Sequence, residues 1–264
     1  MQLTGARAWQ TTQRNLELCF PQLNDNERND LAKKSLDNTC MVGIEAFGVW
    51  QRDWAQLEPW LLEVEGAELF DKALKDERGL IMLGLHHGNW ELGCKYLASK
   101  APSVVYLYKP NKNYILEQLI TKNRLRQKSV NLQPPTLKGV RSVIKELRSG
   151  GTTSILPDQI PNEENSGTFV PFFGMPAFYM TMVQKLQKKT NAQILITYTL
   201  RTSKGFRIVI QQPDPQIFDK DMEQSMIALN SNIEDIIKLS PEQYQWDYKR
   251  FRVRPDSDED LYDC

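Results

Sequence analysis

Read for period, the chain holds two kinds of pattern. Up to about Trp50 the apolar positions recur at helical spacing. A first helix over 7–20 stops at Pro21, and Asn24 followed three residues later by Glu27 is the capping pair of a second. That second helix runs through Leu31, Leu36 and Met41 towards Trp50. Beyond it, short apolar runs alternate with amphipathic segments. The runs at 61–64, 80–85, 104–108, 153–156, 194–200 and 206–210 predict strands. Helical patterns lie between most of them, at 67–75, 90–99, 114–127, 137–148 and 176–189. Two further helical regions, around 221–238 and beyond Pro241, close the chain.

Strands alternating with helices of about a dozen residues imply βαβ units and parallel pairing. The last two strands, joined through Ser203-Lys204-Gly205, read instead as an antiparallel hairpin. The expected fold class is therefore α/β, with a mixed, largely parallel central sheet covered by helices and a helical N-terminal region. Neither an internal repeat nor a low-complexity linker interrupts the pattern, so residues 1–264 are expected to form a single domain. Parallel neighbours bring their C-terminal tips together, and in open α/β sheets ligands bind at that edge. Three tips are polar here: His86, then Tyr108-Lys109-Pro110, then Pro157-Asp158-Gln159.

Composition narrows the classes. Lys plus Arg and Asp plus Glu both count 33 in 264 residues, and zero net charge disfavours duplex nucleic acid as main partner. Cys19, Cys40, Cys94 and Cys264 form no C-x-x-C pair, a pattern of packing thiols in a reducing compartment. Cys264 is the last residue, which excludes a prenylation box. No apolar run approaches the roughly 18 residues that span a bilayer, and no signal-peptide profile opens the chain.

The only two histidines are adjacent, in Gly84-Leu-His86-His87-Gly88-Asn89-Trp90-Glu91. The run reads as a strand, a turn at Gly88 and a helix start, with Glu91 in the helix's first turn. A carboxylate so placed can fold back on the imidazole, fix its tautomer and stabilise its cation, as a general base requires. The ordinary alternative is a core histidine with a solvated carboxylate near a helix N-terminus, a favoured place for Glu. His87 is expected to be structural or pocket-lining. A shared metal is not expected, since neighbours on a strand point apart and neither H-E-x-x-H spacing nor a third ligand is present. Missing too are a G-x-S-x-G elbow and both phosphate-cradling glycine motifs; no cofactor is implied.

Other candidates divide more evenly. Asp158 either caps a turn or serves the site; Arg124 is either a site cation or a solvated helix residue. The aromatic and methionine-rich stretch 169–182 is either core or an adaptable wall for an alkyl chain. Lys249, Arg250, Arg252 and Arg254 form either a solvated face or a surface for phosphates or an acidic carrier.

Several of these strings together resemble the late acyltransferases of lipid A biosynthesis, the lauroyl/myristoyl family of Gram-negative bacteria. They are Asn15-Leu with Cys19-Phe-Pro, His86 to Glu91 as an H-x-x-x-x-[DE] box, Tyr108-x-Pro110, and Asp158-Gln159. To these add Thr168-Phe-Val-Pro-Phe-Phe-Gly-x-Pro-Ala177 and Pro241-Glu-Gln-Tyr-x-Trp246. The resemblance runs through nearly the whole chain. It implies an enzyme at the cytoplasmic face of the inner membrane, transferring a fatty acyl group from acyl carrier protein, or coenzyme A, to a hydroxyl of a lipid A precursor. It also places a site arginine and aspartate on Arg124 and Asp158. Lys109 stands where the family has arginine, and Tyr248-Lys249 where it has His-Arg. The family's N-terminal hydrophobic anchor has no counterpart in the first residues, so the expectation divides between a truncated chain and a peripheral protein.

The expected chemistry is removal of the acceptor hydroxyl's proton by His86, with Glu91 orienting the imidazole. Backbone amides at the Gly88–Asn89 helix start, or Arg124, would hold the oxyanion. With no Ser or Cys in the box, direct transfer is expected. The same machinery would serve another glycolipid or an amino-acid lipid, and a non-catalytic lipid- or carrier-binding relative is the reading from a different class.

Overall fold

The computed structural model describes residues 2–110, 113–125, 127–161, 166–255 and 260–262. Cys264 and part of the predicted helix at 114–127 lie outside the described residues. Helix α1 spans Gln2–Cys19 and α2 Asp25–Gln51. The expected capping box is present: the Asn24 side chain accepts from the Asn26 and Glu27 amides, and the Glu27 carboxylate accepts from the Asn24 amide. A short helix α3, Trp54–Leu57, leads into β1, Leu61–Glu65.

There follow α4 (Ala67–Leu74), β2 (Leu80–Gly88), α5 (Trp90–Lys100), β3 (Val104–Leu107) and α6 (Tyr114–Arg124). Next come β4 (Val130–Gln133), α7 (Leu137–Arg148), β5 (Thr152–Ile155), β6 (Gly167–Phe172) and β7 (Met175–Met180). The chain continues through α8 (Met182–Thr190), β8 (Gln193–Thr202), β9 (Gly205–Gln211) and α9 (Met222–Leu239).

Among the described residues a seven-stranded sheet has the order β1-β9-β8-β2-β5-β3-β4. From β8 to β4 all neighbours pair in parallel; the β8–β9 hairpin reverses direction, and β1 joins β9 in parallel. The α/β expectation therefore stands, with the antiparallel hairpin where the sequence placed it. Strand β2 is buried on both faces and divides its side chains between two cores. Leu80 and Met82 pack with Phe70, Tyr96 and Ile208 beneath α4 and α5. Ile81, Leu83 and Leu85 pack with Val143, Leu186 and Ile233 under α7, α8 and α9. Burial on two faces explains why this strand reads as a continuous apolar run. Helix α2 packs on α1, α5, α6 and the 3-10 turn Pro241–Gln243.

Three expectations are corrected. The helix predicted over 176–189 begins only at Met182, because Met175–Met180 is a strand, paired antiparallel with β6 in a separate two-stranded ribbon. Its turn uses left-handed backbone at Phe173 (φ 49°) and Gly174 (φ 77°). Strand β4 was not anticipated, and among the described residues the region beyond Pro241 holds a 3-10 turn rather than an α-helix.

Candidate active site

The three polar tips meet because β2, β5 and β3 are consecutive parallel neighbours. At its end β2 leaves regular pairing: the step from Gly84 to Gly88 faces only the step from Thr197 to Thr199 on β8. Such a bulge re-aims side chains, and bulges concentrate beside active sites. Gly88 closes it at φ 54°, where a Cβ would sit 1.7 Å from the Thr199 carbonyl oxygen. Only glycine fits there. The two histidines leave the bulge for different surroundings.

His86 meets Asp158, which follows the end of β5. The imidazole Nδ1 donates to Asp158 Oδ1 at 2.8 Å, and the His86 backbone N–H donates to Oδ2 at 2.9 Å. The acceptor on Nδ1 fixes the proton there, so the neutral ring carries its lone pair on Nε2. The Gln159 amide nitrogen lies 3.2 Å from Nε2, a donor on that lone pair. Burial alone would raise the Asp158 carboxyl, but the His86 imidazole and the hydrogen bonds outweigh it and hold the acid below its ordinary range. The His86 side chain keeps 14% of its surface exposed, whereas Asp158 keeps 1%.

The exposed part of His86 faces a cavity of about 430 Å³, within the range of small-ligand sites. Its wall is mainly apolar, with Trp90, Ala98, Leu107, Leu156, Met180 and Met182 among its residues. Trp90 meets the His86 ring edge-on at a centroid distance of 5.1 Å. Helix α5 supplies Trp90, Glu91, Cys94, Lys95 and Ala98, so the cavity runs along more than two turns of it.

Glu91 belongs to this site but not to the imidazole. Its Oε1 accepts from Arg124 Nη2 at 3.0 Å, and the Arg124 guanidinium lies over the Tyr108 ring, 5.0 Å from its centroid. Arg124 loses solvation here, yet Glu91 together with Cys94, Tyr108 and Tyr106 outweighs that loss and keeps it cationic. The acid that orients the ring is thus Asp158, and Glu91 orients the arginine. Lys109 lines the same cavity.

Asn89 supports the site from behind. Its side chain caps α5 by accepting from the Leu92 amide at 3.0 Å and donates to Glu45 of α2 at 2.9 Å. Its own N–H donates to the Thr199 carbonyl, so that amide is not an oxyanion donor. Arg201 completes this network by donating to Glu45 and Asn38.

His87 goes to the other side. It is fully buried, meets the Tyr198 ring edge-on, and its Nε2 donates to the Ser240 carbonyl at 3.1 Å. Burial pushes its pKa down to about 4, so it is neutral at physiological pH. Cys94 lines the cavity with a thiol that burial pushes up to about 12, a packing group rather than a nucleophile.

The aromatic stretch 169–182 divides. Phe172 and Tyr179 are core, and only Met180 and Met182 reach the cavity. The basic C-terminal cluster is not a continuous surface. Arg250 is buried over the Tyr179 ring, 3.8 Å from its centroid, and Lys249 pairs with Asp260. The Tyr248 hydroxyl accepts from the Ile160 amide, fastening a cavity-wall residue. Gln159 and Lys95 were not among the expected site residues. Gln159 is the neighbour of Asp158 on the same tip, which was its available signal.

Residues 2–253 match the family model described as bacterial lipid A biosynthesis acyltransferase. The chain belongs to that family. It is an acyl-transferring enzyme. A lipid A biosynthesis acyltransferase of Haemophilus influenzae is 31% identical over 256 residues, covering 96% of this chain and 80% of that protein. The Escherichia coli lipid A biosynthesis lauroyltransferase is 29% identical over 246 residues, 92% of this chain and 78% of the relative. The Escherichia coli lipid A biosynthesis palmitoleoyltransferase is 27% identical over 252 residues, with 94% and 80% covered. No helix among the described residues is long and apolar enough to cross a membrane.

Proposed function

We propose that this protein transfers a fatty acyl group from an acyl carrier protein thioester, or from acyl-coenzyme A, to a hydroxyl of a lipid A precursor at a membrane surface. His86 Nε2 is the general base. It takes the hydroxyl proton as the oxygen attacks the thioester carbonyl. Asp158, holding Nδ1–H, stabilises the imidazolium so formed. The tetrahedral intermediate then collapses, the carbon–sulfur bond breaks, and the imidazolium returns its proton to the departing thiolate. Base assistance of this kind supplies roughly 10²–10⁴-fold in rate.

Arg124, held by Glu91 at the cavity wall, is a cation available to the oxyanion or to an anionic group of the substrate. The apolar wall receives the acyl chain. The observation that carries the reading is a single arrangement: an imidazole at the wall of an apolar cavity with Nδ1 committed to a buried acid and Nε2 meeting only a neutral amide, that of Gln159, among the described residues.

The test is incubation with acyl carrier proteins bearing different chains and a purified lipid A precursor, read by mass shift. One added acyl group is expected for the parent and none for His86→Ala that remains folded by circular dichroism. Full activity in that variant overturns the mechanism. Addition only to a different glycolipid or to an amino-acid lipid reassigns the acceptor.

A further inference from the structure

Helix α2 changes character along its length. It is densely charged from Asp25 to Asp37, but from Thr39 to Gln51 its only charged residue is Glu45. That carboxylate is taken by Arg201 and by the Asn89 amide. The outward side of the same stretch carries Met41, Ile44 and Phe47, exposed to 46%, 69% and 47%. A surface helix normally turns its polar side outward, and adjoining exposed apolar side chains mark a contact surface.

Two observations indicate what covers it. The first is continuity with the cavity. The Phe47 ring meets Trp50 edge-on at 5.5 Å, and Trp50 with Val49 forms part of the cavity wall. Apolar surface therefore runs from the outside of α2 into the space beside His86. The second is what borders it. Just past the end of α2 stands half-buried Trp60, with the Arg52 guanidinium 5.4 Å from its ring centroid. Tryptophans with a neighbouring cation are the side chains that the boundary between hydrocarbon and water selects.

We propose that the outward face of α2 from Met41 to Phe47 rests in the headgroup–hydrocarbon boundary of a phospholipid bilayer, so that the cavity opens onto the membrane. An acyl-bearing acceptor then enters along Phe47 and Trp50 without its chain crossing water. A second copy of this chain on the same face would instead obstruct that approach. The inference deepens the proposed lipid acyl transfer, but vesicle binding is measured without substrates.

The experiment is co-sedimentation of the full chain with vesicles of phosphatidylethanolamine and phosphatidylglycerol. Met41→Asp combined with Ile44→Asp is expected to lower vesicle partitioning about tenfold or more, since each carboxylate must be dragged towards hydrocarbon. Met41→Gln with Ile44→Gln, readily tolerated on an exposed helix face, shifts it in the same direction. Turnover of an acceptor dispersed in detergent micelles stays at the parent's level, while turnover of the vesicle-embedded acceptor falls.

Parent-like vesicle binding by both double variants overturns the proposal, as does a parent that does not bind vesicles. A dimer in sedimentation velocity that the substitutions dissociate assigns the face to a second copy and overturns it equally. Vesicle binding that depends on α2, with no acyl transfer in either format, sinks the proposed chemistry and leaves the membrane face standing.

Discussion

His86 and His87 are neighbours on one strand, yet they occupy opposite regimes. On the cavity side, an acid fixes the ring's proton on Nδ1 and leaves the other nitrogen at the cavity wall, beside the Gln159 amide. On the core side, burial outweighs the Ser240 hydrogen bond and the Asp158 charge, and the ring is held neutral with no hydrogen-bond partner for Nδ1 among the described residues. The residue type is identical, so the difference lies in what each side of the bulge supplies. A histidine becomes a base by having one nitrogen committed and the other accessible, not by position along the chain.

The largest test of that contrast is Asp158→Asn. An amide can satisfy one of the two N–H groups that the carboxylate accepts, but it presents an NH2 to the other. Turnover should drop by roughly 10²–10⁴-fold, with the proton's place on the ring no longer fixed. Steady-state rates of a folded variant decide this, and near-parent activity would return the orienting role to another group. Glu91→Gln should cost less, about 10–100-fold, by loosening Arg124. Its pH–rate profile should keep the parent's shape, whereas a profile displaced like that of the Asp158 variant would link Glu91 to the imidazole after all.

For His87 the readout is stability. Its folded pKa of about 4 lies below the ordinary value of 6.5, so between those values the unfolded chain binds a proton that the native state refuses. Stability from this group is complete above pH 6.5 and is lost as pH falls towards 4, by roughly 3 kcal/mol at most. Urea titrations across that window should show a steeper decline for the parent than for His87→Gln. Equal slopes would mean that the ring is not sealed. The smallest effect is expected from Asn89→Ala, which removes the cap of α5 and costs about 0.5–2 kcal/mol in the thermal unfolding free energy.

Most of the sheet was legible because its strands obey simple rules. The β2 run is apolar throughout since both its faces are covered, and the capping box at Asn24 announced α2. The ribbon of β6 and β7 was not legible. Pro176 suits a helix's first turn as well as a strand, and here it faces Pro171 in a two-stranded sheet, where missing N–H groups are tolerated. Strand β4 is four residues long and half polar, too short for a period to register.

At the site, the meeting of the tips followed from parallel pairing. The choice of acid did not. Glu91 lies five residues from His86 in sequence, while Asp158 is separated from it by 72 and arrives only through the pairing of β5 with β2. Local spacing favoured the near carboxylate; the tertiary structure gives it to Arg124.

Because one carboxylate accepts from both the main chain and the ring of His86, the residue is gripped at two points by a single neighbour. Rotating the imidazole to offer its other nitrogen would break one grip while the second persisted, so the ring behaves as a ratchet with one seat. If the sheet breathes, base and anchor travel together, and the aim of the reactive nitrogen survives motions that would misalign two independently mounted parts.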